Sequence, residues 1–239
     1  LATAATLINS YNFTANWNVS NNASGYYLDV STSPTFGGPA QLVTWTFPNG
    51  SANAIADGGL AVNQSKTIST TANGTTSYPI GAAGTPDRAT ANSDWSNGNG
   101  TKWWQIDLST SGSFGLTLSS AQQSANTGPR DFKVQYRVGV DGTWTDVPGS
   151  SITVANNFTT GALNALPLPS ACDDQQQVFL RWIMTSNTSV SGASVAIGGI
   201  SAIDNISVDA ATSAPFVTGY ENLSVVNTSS YFFDGLYSG

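Results

Sequence analysis

Residues 132–144 read Phe-Lys-Val-Gln-Tyr-Arg-Val-Gly-Val-Asp-Gly-Thr-Trp. The run 132–138 is rich in aromatic and β-branched residues, which suit a half-buried pleated surface. Asp141-Gly142 between two apolar stretches signals a hairpin turn. Working outward, Gln41-Leu-Val-Thr-Trp-Thr-Phe47 reads as another strand, stopped by Pro48-Asn49-Gly50. Residues 66–71, 102–108, 114–119, 152–154, 178–185 and 203–208 add further short strands, joined by polar connections, with no helical period between them. A β-sandwich or jelly roll is the expected fold of this region.

Composition agrees with that class. Charged residues make up 9% of the 239, and Ser, Thr, Asn and Gly supply the solubility that Lys and Glu usually provide. Glu221 is the single glutamate. Such a chain has little to build helices from, and its Thr, Val and aromatic content favours strands. The composition is that of a secreted all-β protein, extracellular or at the cell surface. A net charge of −7 and a pI near 4.1 argue against nucleic acid, since nothing would neutralise phosphates. The seven basic residues are scattered in sequence, which disfavours an anionic membrane surface, and no apolar run approaches the roughly 20 residues of a spanning helix. The chain starts at Leu1 rather than Met, and is read as a mature fragment or part of something longer.

Missing residue types exclude whole chemistries. With no His, neither a Ser-His-Asp nor a Cys-His system can be assembled, and the usual zinc sites lack ligands. Cys172, the lone cysteine, cannot form an internal disulfide and reads as a small buried thiol. A glycosidase needs two carboxylates across a cleft. Asp173-Asp174, adjacent in a turn-like stretch, are better read as turn formers. The chain is therefore expected to be no enzyme and to need no cofactor. Structural calcium is compatible with the loop Asp residues, but no loop has EF-hand spacing.

The two ends of the chain belong together. Ala5-Thr-Leu-Ile-Asn-Ser-Tyr-Asn-Phe-Thr-Ala-Asn-Trp17, with Tyr11, Phe13, Ala15 and Trp17 alternating against polar residues, is followed by Gly25-Tyr-Tyr-Leu-Asp-Val-Ser-Thr-Ser-Pro-Thr-Phe36. This resembles the opening of a fibronectin type III domain of the kind found in large secreted bacterial surface proteins. The continuation surfaces far downstream, in Phe216-Val-Thr-Gly-Tyr-Glu-Asn-Leu-Ser-Val225 and Thr228-Ser-Ser-Tyr-Phe-Phe-Asp-Gly-Leu236. Both arms lack Lys and Arg; all seven basic residues lie between Lys66 and Arg181. The expected organisation is a split fibronectin type III-like domain, residues 1–37 plus 214–239, carrying an inserted jelly-roll β-sandwich at 38–213. Within the insertion, Thr101-Lys-Trp-Trp-Gln-Ile-Asp107, residues 127–137, residues 179–187 and Ile203-Asp-Asn-Ile-Ser-Val208 resemble jelly-roll modules of secreted bacterial proteins. That likeness implies an architecture and no particular residue roles.

The resemblance also implies a shortfall. The family has seven strands, and five are legible here, the last two having no counterpart before Gly239. An apolar edge without its neighbour is a template for another strand. Either the missing strands lie in a longer polypeptide, or a second copy supplies them head to tail, as in donor-strand complementation. On the second reading Phe13, Trp17, Tyr27 and Phe232 would form the self-assembly surface, and the protein would be a subunit of a surface stalk, adhesin or pilus-like filament. The alternative is a carbohydrate-binding module of a secreted multidomain protein. Among Trp95, Trp103, Trp104 and Trp144, the loop residue Trp95 is the candidate for stacking on a sugar; Trp103 and Trp104, consecutive in a strand, must point to opposite faces. Of the many Asn-X-Ser/Thr triplets, those at Asn49, Asn73 and Asn99 are the candidates for glycosylation.

Overall fold

The structure is a computed structural model and describes residues 2–7, 12–18, 26–28, 40–213, 223–225 and 230–233. In chain order its strands are β1 (Ala2–Thr6), β2 (Phe13–Trp17), β3 (Tyr26–Leu28), β4 (Ala40–Trp45), β5 (Gly58–Gly59), β6 (Ser69–Thr70), β7 (Thr76–Ser77), β8 (Thr90–Asn92) and β9 (Trp103–Leu108). They continue with β10 (Ser113–Ser124), β11 (Asp131–Val138), β12 (Thr145–Thr153), β13 (Leu163–Pro167), β14 (Val178–Met184), β15 (Ser201–Ser213), β16 (Leu223–Val225) and β17 (Ser230–Phe233). The helical content of the described residues is two single turns, Pro48–Gly50 and Ser170–Cys172. Among those residues no helix is long and apolar enough to cross a membrane.

The chain divides into two compact units, residues 1–37 with 214–239, and residues 38–213. In the smaller unit β1, β2 and β17 form one antiparallel sheet, and β3 pairs with β16 in another. Each late strand thus closes on an early one.

The larger unit holds two antiparallel sheets. One orders β13-β10-β15-β4-β5, with β8 also pairing to β15 and β7 to β8; the other orders β12-β11-β14-β9-β6. Without the two- and three-residue strands β5 to β8, eight strands remain. Numbered along the chain, they lie as 1-8-3-6 in one sheet and 2-7-4-5 in the other. That arrangement is the jelly roll. The fold is an all-β sandwich because its strands alternate: Trp104, Ile106 and Leu108 of β9, Phe132 and Val134 of β11, and Leu180 and Trp182 of β14 face inward. They meet Val43 and Trp45 of β4, Leu116 and Leu118 of β10, and Val208 of β15 in one continuous core.

Two local features adjust the pattern. A bulge at Asn205 (φ 47°) puts one extra residue into β15 opposite β10. Ile203 and Ile206, three apart, therefore both reach the core. The expected hairpin joins β11 to β12, but its connection is longer than the Asp-Gly signal suggests. The strands separate beyond the pair Tyr136↔Thr145, and the left-handed glycine is Gly139 (φ 65°), not Gly142. The edge strand β13 contains Ala165 in the left-handed region and ends on Pro167, so it carries no clean alternation to read.

Candidate ligand-binding face

The outer face of the five-stranded sheet follows from the same alternation that builds the core. Between the buried residues of β9 stand Trp103, Gln105 and Asp107; β14 contributes Phe179 and Arg181, and β11 contributes Lys133, Gln135 and Arg137. Register then lines them up. Gln105 pairs with Arg181, Arg181 with Gln135, and Gln135 with Asp146 of β12, while Ser69 of β6 sits beside Gln105. With about 4.8 Å between neighbouring strands, this polar row runs about 19 Å across the sheet.

Aromatic rings and guanidinium groups alternate over the row. The Arg181 guanidinium carbon lies 4.6 Å from the Trp103 ring centroid and 4.0 Å from that of Trp144, which comes from the β11–β12 connection. Arg137 lies 4.9 Å from Trp144 and 4.4 Å from Phe179. Stacking of this kind fixes both the rings and the planar cations. Hydrogen bonds complete the order: Arg181 Nε donates to Gln135 Oε1 (2.8 Å), and Gln135 Nε2 donates to Asp146 Oδ1 (2.6 Å). Lys133 Nζ closes on Asp146 Oδ2 at 2.7 Å. At one end Lys66 Nζ and Gln177 Nε2 share Asp107 Oδ2. Beside the row a depression of about 370 Å³ is bounded by Asn99, Gly100, Lys133, Gln135, Arg181 and Thr185.

The electrostatics follow these contacts. The hydrogen bond from Lys133, helped by Gln135, holds the Asp146 carboxyl below its ordinary value. Arg181 is shifted downward, first by burial and then by the like charge of Arg137, with Asp146 acting in the opposite sense. Chemically the face offers flat apolar rings, amide donors and acceptors, a carboxylate and fixed cations. Among the described residues no group of three His, Cys, Asp or Glu side chains is placed to hold a metal. A smaller depression of about 210 Å³ on the other sheet is lined by Pro79, Ala91, Ser124, Ile200 and Ala202 among others and presents no charged side chain.

The residues singled out from the sequence fall elsewhere. Trp95 is fully buried. Its indole lies tilted against Trp104 with centroids 5.4 Å apart and meets Phe132 edge-on at 5.8 Å, and Nε1 donates to the Asn92 carbonyl. The expectation that it contacts glycan is corrected: its loop folds inward and it is core. Of the adjacent tryptophans, Trp104 is the buried one and Trp103 the outward one. Asn49, in the single turn Pro48–Gly50, and Asn73 and Asn99, in loops, are all exposed, and Asn99 borders the depression. Asn63, which also begins a triplet, is a buried structural amide bonded to Leu42 and Ser109. Phe13 and Trp17 lie on β2, Tyr27 on β3 and Phe232 on β17. Trp17 is buried, at 8% exposure. Asp174 accepts the Gly112 amide at 2.8 Å in a left-handed turn, and burial pushes the Cys172 thiol up to about 12. Lys133, Gln135, Arg137, Asp146 and Arg181 were not distinguished by sequence reading. The available signal was their period-two spacing in 133–137 and 179–181, which gathers the scattered cations onto one face.

The sequence matches no protein-family model and none of the curated proteins. Among solved structures the chain is similar to the CBM22-1 xylan-binding domain of Xyn10C from Paenibacillus barcinonensis, at 10% identity over 73% of this chain and 96% of that one, with a TM-score of 0.47. It is similar to a CBM4 structure at 14% identity, 76% and 99% coverage and a TM-score of 0.41. An F5/8 type C domain from Bacteroides fragilis gives 15% identity, 77% and 96% coverage and a TM-score of 0.30.

Proposed function

We propose that this protein is a non-catalytic, extracellular carbohydrate-binding module whose ligand is an extended sugar chain lying along the outer face of the five-stranded sheet. The observation that carries the reading is the row Ser69, Gln105, Arg181, Gln135 and Asp146, with Trp103 and Trp144 stacked over it. Sugar rings have apolar faces that pack on indoles and hydroxyl edges that need paired donors and acceptors. Amide, guanidinium and carboxylate groups supply both kinds of hydrogen bond. A row that crosses five strands suits a polymer better than a single small molecule, which would ask for an enclosed pocket. The absence of His from the sequence leaves no imidazole to act as acid or base on a bound chain.

Affinity electrophoresis against a panel of soluble polysaccharides, followed by calorimetry with matching oligosaccharides, tests the reading. At least one polymer should retard the wild-type protein. Trp103→Ala should weaken that binding tenfold or more, about 1.4 kcal/mol, with little change in melting temperature. Failure of the whole panel, or an unchanged affinity in Trp103→Ala, would overturn the assignment.

A further inference from the structure

The outer face gathers most of the cations of an acidic protein. Four of the seven basic residues, Lys66, Lys133, Arg137 and Arg181, stand on it or at its edge, although the net charge is −7. The carboxylates of the face are already engaged. Asp107 takes Lys66, Asp146 takes Lys133, and Asp131, on the same side of β11, takes Arg130. Asp141 lies exposed in the β11–β12 connection and forms no ion pair among the described residues. Among the described residues Arg137 and Arg181 form no salt bridge, and Asp146 acts on Arg181 only from beyond that distance.

Their surroundings make that imbalance costly. Both guanidinium groups stack on one indole, Trp144, so two like charges share a ring. Arg137 Nε is buried without a hydrogen-bond partner. Arg181 places only Nε, on Gln135, among the described residues. A partly desolvated cation with unused donors is unfavourable until an anion supplies acceptors. Guanidinium forks match the planar geometry of carboxylates and the oxygens of sulfate esters.

We infer that the sugar chain taken by this face is anionic, with a carboxylate or sulfate ester received by Arg137 and Arg181. The inference rests on the carbohydrate-binding reading and names its ligand class. Neutral rings would stack on Trp103, and the charged substituent would be bonded by the two guanidinium edges. Hydrogen bonds to a charged partner of this kind correspond to roughly tenfold tighter binding or more.

Calorimetry with four probes tests it: a neutral β-linked xylo-oligosaccharide, an oligogalacturonate, a sulfated dextran fragment and, as a polyanion without sugar, polyglutamate. Each is measured at low and high salt, with wild type and with the double variant Arg137→Gln, Arg181→Gln. Melting temperature and near-ultraviolet circular dichroism check that the variant is folded. The expected result is a preference of tenfold or more for an anionic saccharide over the neutral one, weakened by salt and reduced to near unity in the folded variant. Oligogalacturonate and sulfated dextran tell carboxylate from sulfate. A neutral oligosaccharide bound as tightly as the charged ones overturns the inference and leaves the carbohydrate reading intact. Polyglutamate bound as tightly as the anionic saccharides, or no saccharide bound at all, overturns both. A variant that fails to fold is replaced by Arg181→Lys, which keeps the charge and loses the fork; an undiminished preference for the anionic saccharide would then count against the inference.

Discussion

The five-stranded sheet carries aromatic rings on both faces, and the two faces use them differently. Inward, Trp104, Trp182 and Phe132 pack among Ile, Leu and Val, and the two indole nitrogens donate to Ser201 and Ser120 hydroxyls across the sandwich. Outward, Trp103, Trp144 and Phe179 stack on the guanidinium groups of Arg181 and Arg137. Counting tryptophans therefore does not separate core from site. What separates them is the polar partner. A buried indole needs one acceptor and is then silent, whereas an outward ring beside an arginine keeps charge and hydrogen-bonding capacity at the surface.

The comparison predicts that stability and affinity will respond to opposite faces of the same strands. The largest stability effect belongs to the inner face. Trp182 is fully buried, and Trp182→Ala should cost about 3–5 kcal/mol through lost burial and the cavity left behind. Urea denaturation measures this. The fraction still folded should bind its ligand within about twofold of wild type, and a large loss of affinity there would erase the distinction between faces.

Two aspartates sharpen the contrast. Asp146, on the open face, is held low by Lys133 and Gln135. Asp204 lies under the loop at residue 82 on the far side of the other sheet, where it is fully buried and accepts the amides of Ala82 and Asn205 at 2.7 Å. Burial pushes its carboxyl up from 3.8 to about 6, against those two hydrogen bonds. The native state therefore holds a proton between about pH 4 and pH 6 that the unfolded chain has released. The Asp204 contribution to unfolding free energy should be fully present below this window and be lost as pH rises through it, by roughly 3 kcal/mol at 1.36 kcal/mol per pH unit. Asp204→Asn should flatten that slope. An unchanged slope would show that another group is responsible.

The all-β class and most long strands were legible because alternation and turn residues are local signals. The strands at 102–108, 132–138 and 178–185 were expected within a residue or two of β9, β11 and β14. Local signals say less where tertiary packing decides. Trp95 sits among Asn, Ser and Asp, a sequence that reads as an exposed loop, yet Trp104 and Phe132 draw its ring inward. The candidate face was hidden for a related reason. Lys133, Asp146 and Arg181 are far apart in sequence, and only the antiparallel register β12-β11-β14 makes them neighbours. Had the outward residues of each strand been read as a set, their concentration of cations, amides and rings would have stood out against a chain with 9% charged residues.

The smallest stability effect, and the sharpest test of the comparison, belongs to the Lys133–Asp146 pair. Its side chains are 33% and 55% exposed, so water and salt screen the attraction. Lys133→Met should change stability by no more than roughly 1 kcal/mol. Because the folded-state value of Asp146 is depressed, the pair's contribution is present above the ordinary aspartate range and fades as pH falls through the lower, folded value. Affinity should respond more strongly than stability. Lys133 fixes the carboxylate that orders Gln135, and Gln135 in turn holds Arg181. Paired melting curves and ligand titrations of Lys133→Met and Asp146→Asn would measure the two responses side by side. A stability loss comparable to that of Trp182→Ala, with affinity untouched, would mean that the outer row serves the fold rather than a ligand.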